Sequence, residues 1–125
     1  MAKQEQQTVR DQMADTPATI GPDATVAEAA RTMRDADVSF IAVVDDTDTL
    51  IGVITDRDIA ITVVAADVNP NSTTVGQAMS EPVAVSEGDS LDQALQRMLD
   101  ENVHRAPVTD GEGHVSGTLS QESGS

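Results

Sequence analysis

The 125-residue chain has no cysteine, no tryptophan and no tyrosine, and Phe40 is its sole aromatic residue. Without thiols it can form no disulfide or thiolate metal site and has no thiol nucleophile, a composition that suits a reducing cytoplasm. Without aromatic rings it lacks the platforms on which nucleobases stack. Basic side chains are scarce too: 7 Lys and Arg stand against 22 Asp and Glu, a net charge of −15, and Lys3 is the sole lysine. A chain of that sign is repelled by DNA, RNA and anionic membranes, so neither nucleic acid nor a membrane is expected as a partner. No apolar run approaches the roughly 18 residues that a membrane-crossing helix needs, and the first residues do not read as an export signal.

What is present is an aliphatic core. Hydrophobic residues make up 38% of the chain, enough for one compact domain or two small, interdependent ones. The pattern is organised around residues 50–59, LIGVITDRDI. An apolar run with Gly52 inside it stops at Thr55-Asp56-Arg57-Asp58, where a second apolar pattern begins. That predicts a buried strand delivering a hydroxyl, two carboxylates and a guanidinium to the mouth of a helix. Thr55 is placed to be its N-cap, with Asp56 and Asp58 complementing the helix dipole.

The chain is an internal duplication. TVRDQM at 8–13 returns as TVGQAM at 74–79, and from Pro17 and Pro82 onward the offset is a constant 65. A capping box, Thr25 with Glu28, opens a helix carrying Val26, Ala29, Ala30 and Met33 at apolar spacing. Its copy is Ser90 with Gln93, followed by Leu91, Ala94, Leu95 and Met98. Hairpins are predicted at 39–55 and in the matching stretch after Val103, with an acidic turn at 45–48. Ile59, Ala60, Val63 and Val64 line one side of the helix after the first hairpin, and Asn69-Pro70-Asn71 marks a linker. The domain expectation is therefore a first unit at 8–66, a linker at 67–73 and a second unit at 74–125. The second unit's closing helix is expected to be missing or truncated, since SQESGS follows the last predicted strand. Each unit reads as strand, helix, strand, strand, helix. At about 60 residues neither buries a sheet face well alone. The expected fold is α/β (α+β): two βαββα units related by an approximate two-fold, their sheets packed face to face, with a cleft where the matching strand-to-helix corners meet.

In TVGQAM at 74–79, GVITDRD at 52–58 and HRAPV at 104–108 the chain resembles the tandem CBS-domain pair, from Thr8 to about Ser120. It looks especially like small stand-alone bacterial or archaeal proteins of that type. The resemblance implies a regulatory module that commonly dimerises; the cysteine-free composition adds the expectation of a cytoplasmic location, and the motifs weighed below that of no catalytic activity. The resemblance also implies an adenosine-containing ligand (AMP, ADP, ATP or S-adenosylmethionine) in the inter-unit cleft, and no required cofactor. By motif position, Asp58 stands where the family's carboxylate grips both ribose hydroxyls, and Thr55 where a hydroxyl meets the phosphate. Thr19 and Ile20, with Phe40, Ile41 and Ala42, would wall the adenine; Arg57 stands near the phosphate. In the second unit His104, Arg105, Pro107 and Ser120 match the family's positions, but the counterpart of Asp58 is Ser123. A serine offers one neutral hydrogen bond where an aspartate offers two charged ones, so this second site is expected to be weak or empty. The alternative function is a ligand-free dimerisation module acting on a regulated protein that the sequence does not name.

Enzymatic readings fare poorly. Asp56-Arg57-Asp58 resembles a phosphoryl-transfer nucleophile loop, but that chemistry needs a lysine and further carboxylates on later strands. Asp45, Asp46 and Asp48 lack the glycine and closing glutamate of a calcium loop. His114 has no second histidine at metal-binding spacing, and no Ser/His/Asp set or glycine-rich phosphate loop is present.

Overall fold

A computed structural model of the chain describes residues 7–14 and 18–121. Its elements in order are α1 (Val9–Gln12), β1 (Thr19–Ile20), α2 (Val26–Ala36), β2 (Phe40–Val44), β3 (Leu50–Thr55) and α3 (Asp56–Ile59). A π-helical segment, Ala60–Ala65, continues α3. Then come α4 (Val75–Ala78), β4 (Val85–Ser86), α5 (Leu91–Asp100), β5 (Arg105–Thr109) and β6 (Val115–Ser120). Two three-stranded sheets result, β1-β2-β3 and β4-β5-β6. In each the short first strand runs parallel to the second, with a helix as crossover, and the second and third form an antiparallel hairpin.

The duplication is written into the backbone hydrogen bonds. Asp56 N donates to Ser39 O at 3.0 Å, and 65 residues on Gln121 N donates to His104 O at 2.8 Å. Both hairpin turns are folded around an aspartate. Asp45 Oδ1 accepts from the N–H groups of Thr47 and Thr49, and Asp110 Oδ1 from those of Glu112 and His114. Helix α2 is closed by a left-handed Asp37 at φ 59°, and α5 is followed, one residue past its cap Glu101, by a left-handed Asn102 at φ 61°, a conformation that Asn and Asp tolerate better than most side chains.

The packing groups the chain differently from the sequence repeats. One compact unit holds residues 18–82, and the other joins 7–14 to 83–121 among the described residues. The leading motif of each repeat therefore packs on the opposite repeat's sheet. Val9 N donates to Asp89 O and Leu91 N to Gln7 O, tying α1 to the start of α5. Arg10 adds an ion pair to Glu87 at 3.0 Å. In the same way Val75 N donates to Ala24 O and Val26 N to Thr73 O, tying α4 to the start of α2. Residues 67–73 are no free tether: Asn69 O accepts from Ser72 N and Thr73 N, and Pro70 O from Ala27 N.

Each unit has its own core. Val26, Ala29 and Met33 of α2 pack with Ile41, Val43 and Ile54 of the sheet and Val75 and Ala78 of α4. In the other unit Leu91, Ala94 and Met98 of α5 pack with Ala106, Val108, Leu119, Val85 and Val9. Ala30, expected on the apolar stripe, is exposed instead. So are Ala60 and Val64, the latter 77% exposed. The i→i+5 bonding of the π-helical segment, with Ala66 N on Ile61 O and Val68 N on Val63 O, gives it a period other than the 3.6 that the sequence reading assumed. The closing helix of the second repeat and Ser123 fall outside the described residues.

Candidate ligand site

The register of the first sheet sorts the expected site residues by face. Thr19 lies opposite Ala42, Ala42 opposite Val53, and Phe40 opposite Thr55. Side chains alternate along a strand, so Thr19, Phe40, Ala42, Val53 and Thr55 share one face. Ile20 and Ile41 turn to the other face, into the core beneath α2. On the face shared with Thr55, Ala42 is fully buried and Phe40 7% exposed, while Thr19 is exposed.

At the end of β3 the corner is closed by reciprocal hydrogen bonds. Asp58 N donates to Thr55 Oγ1 at 3.0 Å, and Thr55 N donates to Asp58 Oδ2 at 2.9 Å. This is a capping box with aspartate in the usual glutamate place. Asp58 Oδ1 accepts from Ser80 Oγ at 2.8 Å. Both carboxylate oxygens are thus fixed in position, and each keeps a lone pair for a further donor. Asp58 and Thr55 are half-buried, while Arg57 is exposed beside them.

Ser80 escaped the sequence reading, although its place directly after the repeated motif was a usable signal. Its backbone is held by a reciprocal pair with Val53, N to O at 2.8 Å and O to N at 3.0 Å. Gly52 makes that approach possible. A Cβ there would stand 2.6 Å from Met79 Sδ and 3.2 Å from Ser80 O. A separate open cleft of about 380 Å³ lies on the other side of α3, lined by Met33, Arg34, Asp37, Ser39, Asp56 and Ile59 among others. Asp56 and Ile59 share one side of the turn, and Thr55 and Asp58 another, so the cleft does not include the carboxylate corner.

The second sheet carries the other four candidates in its own unit. Arg105 lies opposite Ser120 and Pro107 opposite Thr118, so these four share a face, while Ala106, Val108 and Leu119 fill the core. Pro107 is buried, Arg105 and His104 are exposed, and Ser120 is half-buried. Thr118 Oγ1 is buried without a hydrogen-bond partner among the described residues, where the first sheet has Val53. Sequence reasoning missed this hydroxyl too.

Nearby, charge is organised by hydrogen bonds. The N–H groups of Glu112 and His114 hold the Asp110 carboxyl below its usual range. Ser116, then Arg10, does the same for Glu87. His114 Nδ1 stands 3.7 Å from Asp110 Oδ2 and 3.9 Å from Glu112 Oε1. Among the described residues no three His, Asp or Glu side chains are placed to hold a metal ion. No described helix is long and apolar enough to cross a membrane.

Two three-stranded sheets of this topology define a tandem pair of small α/β units. The sequence profile of the CBS domain matches residues 9–64 and again 75–123, and the chain belongs to the CBS domain family. Over 86 residues it is 45% identical to the uncharacterized protein YlbB of Bacillus subtilis, covering 67% of this chain and 57% of that protein. The chain thus spans little more than half of that relative's length. Among solved structures, Hypoxic Response Protein I with two coordinated zinc ions superimposes with a TM-score of 0.84 at 31% identity, over 92% of this chain and 93% of that one. CBSX2 in complex with AMP gives 0.77 at 26% identity, over 91% and 90%. The CBS domain pair of MJ0100, in complex with 5′-methylthioadenosine and S-adenosyl-L-methionine, gives 0.81 at 25% identity, over 93% and 94%.

Proposed function

We propose that this chain is a regulatory ligand-sensing module that takes an adenosine compound at the Thr55–Asp58 corner. The observation that carries the reading is the Asp58 carboxylate. Both of its oxygens are held by neighbouring donors, and each keeps capacity for one ribose hydroxyl. Thr55 and Arg57 stand beside it for phosphate. Ala42 and Phe40, with the backbone of Thr19, Ile20 and Ile41, supply the adenine wall. The AMP and S-adenosylmethionine complexes of the similar structures support the ligand class. His104, Arg105, Pro107 and Ser120 form a second, weaker corner, since the place of Asp58 there is taken by Ser123. The module does no chemistry of its own, and it acts on a regulated protein.

Thermal unfolding with millimolar AMP, ATP and S-adenosylmethionine tests this. The parent's Tm should rise with ligand by mass action, and that of Asp58→Ala should not move. Equal shifts in both, or none in the parent, would sink the reading. The second reading, a dimerisation module needing no ligand, is favoured by apolar side chains left exposed on helices. Ile61 is 52%, Val64 77% and Leu99 59% exposed. It expects a homodimer by sedimentation that Val64→Glu weakens, with no ligand effect on Tm.

A further inference from the structure

We infer that Ser80 is the positioning residue of the ribose carboxylate: its hydroxyl fixes the second oxygen of Asp58, so that the carboxylate meets a ribose diol already oriented. This rests on the adenosine reading above and adds a residue to it. The capping box alone holds the carboxylate through one oxygen, Oδ2 on Thr55 N at 2.9 Å. Ser80 Oγ, 2.8 Å from Oδ1, adds a second hold on the other oxygen and narrows the side chain's orientation further. Ser80 is itself fixed, because its backbone exchanges two hydrogen bonds with Val53. A rigid donor on a rigid segment is what preorganises a bidentate acceptor.

A second observation, independent of the distance, comes from the other compact unit. There the residue matching Ser80 is Ala14, after the motif that ends at Met13, and the residue matching Asp58 is Ser123. Ala14 keeps the same backbone bridge, to Thr118, with N to O at 2.9 Å and O to N at 3.1 Å. The backbone bridge is therefore retained in both compact units, while hydroxyl and carboxylate stand together in the unit of residues 18–82 and are both replaced in the sequence of the other. A serine kept merely for the backbone bridge would have no reason to vanish with the aspartate.

The test is calorimetric titration of the full chain with AMP and with 2′,3′-dideoxy-AMP, which lacks both ribose hydroxyls. Ser80→Ala should weaken AMP on the order of tenfold, the size of one lost hydrogen bond to a charged group. It should leave the weaker dideoxy analogue unchanged. Ser80→Thr, which restores the hydroxyl, should bring AMP affinity back to near the parent's. Equal losses for both nucleotides would show a general structural role and overturn the inference, as would unchanged AMP binding in Ser80→Ala. A parent that binds neither nucleotide, nor S-adenosylmethionine, would instead overturn the adenosine reading and remove the inference with it.

Discussion

Gly52 and Gly117 hold equivalent places in the two hairpins, and each lets the segment after a repeated methionine lie against a strand. The space around them differs. A Cβ on Gly117 would stand 2.5 Å from the backbone oxygen of Ala14, whereas on Gly52 its nearest neighbour is the flexible end of Met79. Gly117→Ala should therefore cost about 2–3 kcal/mol and Gly52→Ala about 1 kcal/mol, as overpacking against backbone exceeds overpacking against a movable thioether. Urea unfolding of the two variants checks the order, and a larger loss at Gly52 would contradict it. Gly52→Ala should also lower AMP affinity, since the neighbour that moves carries Ser80. At this scale the sequence showed Thr55 as an N-cap and Asp58 in the first turn, because a strand-to-helix corner is a local pattern; that Asp58 closes the cap reciprocally is seen only in the structure. The sequence could not reach Ser80, which is 22 residues from Asp58 in the chain and meets it only through the Val53 bridge.

Among elements, the least expected role belongs to α1. Its motif was legible as a copy of α4, but local pattern cannot say which sheet a short helix will cover. Val9 is fully buried in the core built by α5, β5 and β6. Val9→Ala should destabilise that unit by about 2 kcal/mol, the value of a buried valine side chain with its cavity, read as a fall in the urea midpoint. The same exchange at Val75 should act on the other core. The hairpin turns give a prediction in pH. Asp110 and Glu87 have carboxyls held below their ordinary values by donors present only in the folded chain. A depressed folded value means that the contribution is complete above the ordinary carboxylate range and is lost as pH falls through the folded one. Melting curves should lose this part of their stability below about pH 4. Asp110→Ala, with its turn donors unpaired, should melt lower at neutral pH and show a shallower acid limb. Parallel acid limbs in parent and variant would show that the turn contributes nothing to it. The stretch after α3 was read as an ordinary helix because its apolar residues fit that period. Its i→i+5 bonding is decided by backbone closure between Ile61 and Val68, which side-chain pattern does not record.

For the whole molecule the governing quantity is the charge of −15, which composition alone supplies. Such a chain repels itself when folded. Moderate salt, with a Debye length of about 10 Å at 0.1 M, should raise Tm in the absence of ligand. The same field acts on whatever enters the Thr55–Asp58 corner, where Arg57 is the adjacent cation and Asp56 and Asp58 stand with it. Free ATP brings more negative charge than AMP into that field, and S-adenosylmethionine brings a positive centre. At low ionic strength AMP or S-adenosylmethionine should bind more tightly than free ATP. The deficit of ATP should shrink as sodium chloride is raised, and magnesium, which neutralises its phosphates, should shrink it further at constant ionic strength. Affinity for S-adenosylmethionine should move the opposite way with salt. Titrations of the three ligands across a salt series read these slopes directly. If free ATP binds tightest at low salt and weakens as salt rises, local cations at the site outweigh the field of the whole chain, and the preference argued from net charge is wrong even though the adenosine site stands.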